Sequence, residues 1–459
     1  MNEIQTTDEL LALEARYCSW GDTVHYNDPI RVFSECEGNY VTDPDGNRYL
    51  DMQSAYGSVN FGHRNQFFID ALIEQLSSVP HLASEYVTRE KVVLSKLIAD
   101  SVEAVTGERG RVHFNVGGAQ AVDDSLKLIA TDRGHRRTFA FEGSYHGRTI
   151  GASAITSSYR YRSRYGSFSD RAQFIPFPYC FRCPYGLKRE SCSLYCVKQF
   201  ERLFESEYQG VIDPRTGESE FAAFFVETVQ GTGGYIAPPP GYMQELQRIL
   251  HEHDILLVVD DIQMGFFRTG TLWSIEHYDL EPDILIFGKS LTNGLNPLSG
   301  MWAKDALIGP SKFPPGSTHS TFSNNPLGMR LGIASFDWIE QNDYTSHVAD
   351  VGTYLLDGLK EMQRRHPQMG DVDGIGLAVR VEICGDDGFT PDRDLTDAIK
   401  ERALDDDVET ALGPLRLLLD VGGHYKNVFT LAPPLDIDRR EVDVFLDVFE
   451  QHLSAAIQS

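Results

Sequence analysis

Asp283-Ile-Leu-Ile-Phe-Gly288-Lys289-Ser-Leu-Thr-Asn-Gly294 holds four apolar residues in a row, Ile284 to Phe287, between an acid and a glycine. A short apolar run bounded in this way has the pattern of a fully buried strand. A single lysine follows Gly288. At the end of a core strand a lysine loses hydration, which favours its neutral amine over the ammonium. The neutral amine is the form that attacks an aldehyde to give a Schiff base. A surface lysine after a strand has the same local sequence, so this reading needs a second element.

Leu256-Leu-Val-Val-Asp260-Asp261-Ile-Gln263-Met-Gly265 supplies it. This is another buried-strand pattern, and it ends in acid. The two strands set a carboxylate and a lysine at neighbouring strand ends. Pyridoxal phosphate needs that pair, an amine for its aldehyde and a carboxylate for its pyridinium nitrogen. With VVDDIQMGFFRTG and FGKSLTNGLNPLSG, the chain resembles the class III (ornithine/4-aminobutyrate type) pyridoxal-phosphate aminotransferases. Further motifs follow in that family's order, so the resemblance covers roughly residues 33 to 440.

The alternation of elements agrees with it. Strand patterns at Arg111 to Asn115, Thr138 to Phe141, Ala222 to Val226 and Leu256 to Asp260 are interspersed with helical patterns, among them Ala121 to Ala130 and Met243 to His253. Such punctuation implies an α/β fold with a mainly parallel sheet covered by helices. Ligands in such sheets sit at the carboxyl ends of the strands, where the motif residues fall. The resemblance implies a fold-type I pyridoxal-phosphate enzyme with a smaller α+β domain at the C-terminus. The expected divisions are an N-terminal arm and hairpin over 1–63, a large cofactor-binding domain over 64–330, and a small domain over 331–459. Residues 1 to about 32 read as a helix and an extended arm, and Asn39 to Asp51 as a hairpin around an Asp-Gly turn. The later strands are Leu377 to Ile383 and Val428 to Leu431, before a closing helix from Arg440.

Several stretches carry chemistry. Val116-Gly117-Gly118-Ala119-Gln120 lies between a strand and a helix, where close backbone approach and free amides suit a phosphate. The resemblance gives Gly118 and Ala119 that role and places the family's acid at Asp123. Tyr145-His146-Gly147-Arg-Thr resembles the family's "HGRT" segment, which implies Tyr145 stacked on the cofactor ring with His146 beside it. Glu227-Thr228-Val-Gln230-Gly231 resembles the family's "EPxQGxGG", which implies Glu227 near the reacting carbon, helping to select substrates. The resemblance further implies that Asp260 keeps the ring nitrogen protonated, that Gln263 bonds the phenolic oxygen, and that Lys289 forms the Schiff base and then moves the proton. Tyr56 falls where ornithine-type members place an aromatic near the substrate; a core tyrosine beside a glycine turn fits its sequence equally well. Thr321 matches the threonine that reaches the neighbouring subunit's phosphate, which implies a homodimer.

Four positions depart from the family pattern. Asp260-Asp261 stands for "DE", Thr228 for a proline, and Asp373 for an arginine in Asp373-Gly374-Ile-Gly376-Leu377. Thr430 stands in the place of the arginine that clamps a substrate carboxylate. Arg380 and Arg416 are the substitutes to consider. An altered clamp leaves two enzyme readings open. One is an aminotransferase acting on an amine or ω-amino acid with a keto-acid acceptor. The other is a lyase, replacement or carbon–carbon bond-forming enzyme on the same fold. A catalytically silent relative is a third reading, opposed by the joint presence of Lys289, Asp260 and Gln263.

The chain has 459 residues and a net charge of −26, which opposes nucleic acid or an anionic membrane as partner. No apolar run is long enough to span a bilayer, and the acidic N-terminus resembles no signal or transit peptide, so the expected location is the cytoplasm. Of seven cysteines, Cys18, Cys36 and Cys384 are isolated. Cys180, Cys183, Cys192 and Cys196 have a spacing compatible with zinc and equally with a loop that carries thiols. The resemblance requires no metal.

Overall fold

The structure is a computed structural model that describes residues 6–21, 30–158, 161 and 172–458. Part of the expected N-terminal arm therefore lies outside the described residues. The helix before it runs over Thr7–Tyr17.

A seven-stranded sheet forms the centre, in the order Gly110–Asn115, Ser299–Lys304, Ile284–Phe287, Leu256–Asp260, Phe221–Val226, Arg137–Phe141 and Ala172–Ile175. All are parallel except Ser299–Lys304, which runs antiparallel to both its neighbours. The apolar runs follow from burial on both faces. Leu285 and Phe287 enter one core cluster, while Ile284 and Ile286 enter the other. Leu257 and Val259 divide from Leu256 and Val258 in the same way. The four side chains of Ile284–Phe287 are fully buried, and each contributes roughly 2 kcal/mol. Helix Gly118–Arg133 covers one face and helix Tyr242–Glu252 contributes to the other cluster.

Five of the parallel strands finish on one rim. From it emerge the segments that carry Gly118, Tyr145, Glu227, Asp260 and Lys289. The C-terminal part holds a four-stranded antiparallel sheet built from Met369–Ile375, Ala378–Ile383, Val428–Leu431 and Val421–Gly422. The N-terminal hairpin strands Tyr40–Thr42 and Arg48–Asp51 join a second small sheet, in which Arg48–Asp51 pairs in parallel with Gly413–Leu418. A strand from the N-terminal hairpin and one from the C-terminal part thus share a sheet.

The seven cysteines are free thiols. Cys180, Cys183, Cys192 and Cys196 line one cavity of about 20 Å³. Among the described residues, no three His, Cys, Asp or Glu side chains are placed to hold a metal.

Candidate active site

Asp260 closes its strand with its carboxylate 2.8 Å from Nδ1 of buried His146. Burial works against the imidazolium, but Asp260's hydrogen bond and charge, with help from Glu227, hold the His146 pKa above its ordinary value. The other ring nitrogen, Nε2, is buried with no hydrogen-bond partner. Asp261 points away from this pair. It accepts the N–H of Ser274 at 2.9 Å and the Ser274 hydroxyl, and burial pushes its carboxyl up to about 7.

Lys289 follows Gly288, where a Cβ would lie 2.4 Å from Ser299 Oγ. The backbone at Lys289 is left-handed, with φ +44°, a strained conformation of the kind found at functional sites. Desolvation lowers its amine to about 8, against the raising effect of Asp260, Glu227 and Asp420. Glu227 accepts Tyr145 N–H at 3.1 Å and Gly231 N–H at 3.0 Å. Burial nonetheless pushes its carboxyl up to about 7.

Gln263 donates to the Tyr56 carbonyl at 3.0 Å and to the Tyr235 hydroxyl at 3.2 Å. It thereby holds the loop that carries Tyr56. Ser54, Ala55, Tyr56 and Gly57 all have positive φ, between 42° and 73°, and make one left-handed turn. Asp51 receives the N–H groups of Gln53 and Ser54 at the entrance to this turn. Arg268, fully buried, braces it from below. Its guanidinium donates to the carbonyls of Leu377 and Pro433, to Ser54 Oγ and to Asn60 Oδ1. Tyr56 itself is exposed, so it is not a core tyrosine.

At the other end of the rim, Gly117 caps helix Gly118–Arg133 and has open space where a Cβ would stand. The first-turn N–H groups of Gly118 and Ala119 have no intrahelical acceptor. A Cβ on Gly118 would lie 2.7 Å from Ile262, and one on Gly147 2.4 Å from Ala119, so two glycines bring the segments together. Asp123 accepts Ala152 N–H at 2.9 Å, which ties the helix to the segment after His146. Tyr145 is partly buried, with its ring 5.1 Å from that of Tyr161. Thr321 is exposed on a loop that Thr318 fastens to Asp124, at 2.9 Å, on helix Gly118–Arg133.

The two arginines considered as replacements for the missing clamp are engaged elsewhere. Arg380 is buried and binds Tyr179, Asp371 and Glu382; Arg416 binds Asp407 and Tyr49. Thr430 instead donates to Asp420 at 2.8 Å. Sequence reasoning missed Asp420, Tyr235 and Arg268. The last stands in the quoted VVDDIQMGFFRTG motif, and its invariably charged guanidinium amid apolar residues was the available signal.

These residues fit pyridoxal phosphate. Free helix amides and close-packed glycines suit its phosphate, Asp260 its ring nitrogen, and the partly buried, low-pKa Lys289 its aldehyde. Fold and rim together define a fold-type I pyridoxal-phosphate enzyme. Residues 23–453 match the model of the aminotransferase class-III family, and the chain belongs to that family. It is 32% identical over 416 residues to a leucine/methionine racemase of Thermococcus litoralis, covering 90% of this chain and 88% of that protein. An ornithine aminotransferase of an Exiguobacterium species is 31% identical over 432 residues, covering 93% of each. A solved aminotransferase of Bacillus anthracis superposes with a TM-score of 0.87 at 26% identity, covering 99% of this chain and 100% of that one. No helix among the described residues is long and apolar enough to cross a membrane.

Proposed function

We propose that this aminotransferase takes the amino group from an amine or ω-amino acid and passes it to a keto acid, with Lys289 as its base. The carrying observation is that Lys289 and the His146–Asp260 pair stand on adjacent strand ends. Pyridoxal phosphate, when bound, supplies the electron sink and the temporary carrier of the amino group.

The protein residues divide the remaining work. Asp260, fixed by His146, holds a proton at the ring nitrogen. Its carboxylate is buried, so water does not compete for that proton. Gly118 and Ala119 bind the phosphate through their amides, and Gln263 and Tyr145 orient the ring. Lys289 would hold the cofactor's aldehyde and, with its amine free, would take up the proton of the amine-bearing carbon as general base. Its amine, held near 8, stays close to the pKa that such transfers favour at neutral pH. Glu227 and Tyr56 face the substrate. Thr321, on its exposed loop, reaches the cofactor phosphate of a second copy, and the enzyme works as a cytoplasmic homodimer.

The test is a half-reaction. The loaded protein is mixed with a panel of amines and ω-amino acids, with no keto acid present. Conversion of the cofactor to its amine form, with release of the matching carbonyl compound, is the expected result. Release of a leaving group while the cofactor is restored overturns amino transfer.

A second reading has one observation behind it: similar proteins include a leucine/methionine racemase and an alanine/serine racemase. There the base returns the proton to the carbon that lost it. Solvent deuterium appearing at that carbon, with no carbonyl product, would identify this outcome.

A further inference from the structure

Thr430 and Asp420 stand together as one hydrogen-bonded wall of the C-terminal part. Thr430 is buried in strand Val428–Leu431, and its hydroxyl donates to Asp420 Oδ2 at 2.8 Å. Its N–H also bonds the Asp420 carbonyl at 3.1 Å, which fixes the two residues to each other. The second carboxylate oxygen, Oδ1, accepts Gln53 Nε2 at 3.4 Å. Gln53 opens the left-handed turn that carries Tyr56, whose carbonyl is held by Gln263, which in turn bonds Tyr235. Through Gln53, Asp420 is tied to the turn that carries Tyr56 and thence to Gln263. Its charge reaches the Lys289 amine and the Tyr235 hydroxyl.

Asp420 differs from the other two carboxylates whose charge reaches Lys289. Asp260 has the His146 ring, and Glu227 has two peptide N–H groups and full burial. Asp420 is partly exposed, and both of the bonds described above come from neutral donors. Arg268 is engaged by four acceptors, and the charge of half-buried Lys400 acts on Asp420 first and is divided with Asp397 and Glu401. A negative group on this wall repels a substrate carboxylate and attracts an ammonium.

We propose that Asp420 is a specificity determinant that receives the distal ammonium of the amino donor, so that the donors are α,ω-diamines in preference to ω-amino acids. This rests on the reading that the site removes an amino group with Lys289, and it concerns the first half-reaction alone. The reacting amine enters toward Lys289 while the second, protonated amine stays at Asp420. A charge-assisted hydrogen bond of this kind corresponds to about 10- to 100-fold in affinity.

The experiment compares 1,4-diaminobutane, 4-aminobutanoate and 1-aminobutane in the half-reaction of the loaded protein, for wild type and Asp420→Asn. The wild type is expected to favour the diamine over each of the others by at least about tenfold in kcat/KM. Asp420→Asn is expected to erase most of that preference through KM. Gln53→Lys, which sets a cation against Asp420 at a partly exposed position, is expected to turn the preference toward 4-aminobutanoate and guards against a folding defect in the first variant. A wild type that favours 4-aminobutanoate, or a diamine preference that survives both variants, overturns the proposal. Calorimetric titration of borohydride-reduced, inactive protein reads the same contact without turnover. Tighter binding of 1,4-diaminobutane than of 1-aminobutane, lost in Asp420→Asn, supports Asp420 even where no amine reacts and amino transfer itself has failed. Equal binding of the two overturns Asp420 even where both react.

Discussion

Lys289 is both strained and desolvated, and each property has a measurable consequence. Lys289→Ala removes the amine that bonds the cofactor, so the variant should lose its visible absorption band on desalting while the wild type keeps it. The pKa near 8 sets the neutral fraction of the amine. Loading of cofactor-free protein should then quicken about tenfold per pH unit below that value and level off above it, by stopped-flow absorbance. Glu227 makes a different prediction. Its folded pKa of about 7 lies above the ordinary carboxyl value, so the folded state binds more protons than the unfolded state between the two. The associated stability is present at low pH and is lost as pH rises toward 7. Asp261, also near 7, acts in the same direction. Glu227→Gln should therefore flatten the fall in Tm between pH 5 and 7 without abolishing it, and an unchanged slope would contradict this account of Glu227. At this scale the sequence was informative wherever the chemistry is local. Lys289, Asp260 and Gln263 announce themselves by type and by position after an apolar run. Asp420 does not, because its role depends on Thr430 and Gln53, and Gln53 lies 367 positions away.

Strand Leu256–Asp260 was legible to the residue, since two buried faces leave no polar alternation to blur its ends. The left-handed turn at Ser54–Gly57 was not, because three non-glycine residues in that conformation contradict local preference. Asp51, Gln263 and Arg268 impose it from outside the segment. Such a turn stores energy at the substrate entrance, and Tyr56→Gly should release part of it. Tyr56 is 48% exposed, so the burial lost with the other half of its surface offsets part of the relief, and the net gain by denaturant unfolding should stay below about 1 kcal/mol. The same change should lower kcat/KM under the proposed placement of Tyr56 against the substrate. Gly231 tests the opposite side of this arrangement. A Cβ there would come within 2.1 Å of Gln263 Oε1. Gly231→Ala should push Gln263 off its bonds to Tyr56 and Tyr235 and reduce kcat/KM by about 10- to 100-fold, with Tm less affected. A variant with wild-type kinetics would show that Gln263 does not hold the loop.

At the scale of the whole molecule, the exposed apolar residues are unevenly placed. Ile73 and Leu76 on helix Gln66–Leu76, Tyr86 and Val87 on the following loop, and Phe322 on the loop of Thr321 are all more than half exposed. The loop of Tyr86 and Val87 and the loop of Phe322 are drawn together by the packing of Phe322 on His81, with ring centroids 5.1 Å apart, and by a bond from Asn324 to the Ser84 carbonyl at 3.2 Å. The sequence could not reveal this grouping, because each residue alone looks like core. Exposed apolar residues on loops joined in this way suit an association surface. Self-association must also overcome the chain's own charge of −26, so it should strengthen as salt screens that repulsion. Phe322→Asp places a further negative charge at the centre of the patch. In sedimentation velocity the wild type should run as a dimer, more firmly at higher ionic strength, and the variant as a monomer. Since Thr321 is the next residue, the monomer should also retain cofactor poorly on dilution. A variant that keeps both the dimer mass and its cofactor would remove this patch as the subunit contact and Thr321 as the residue that crosses it.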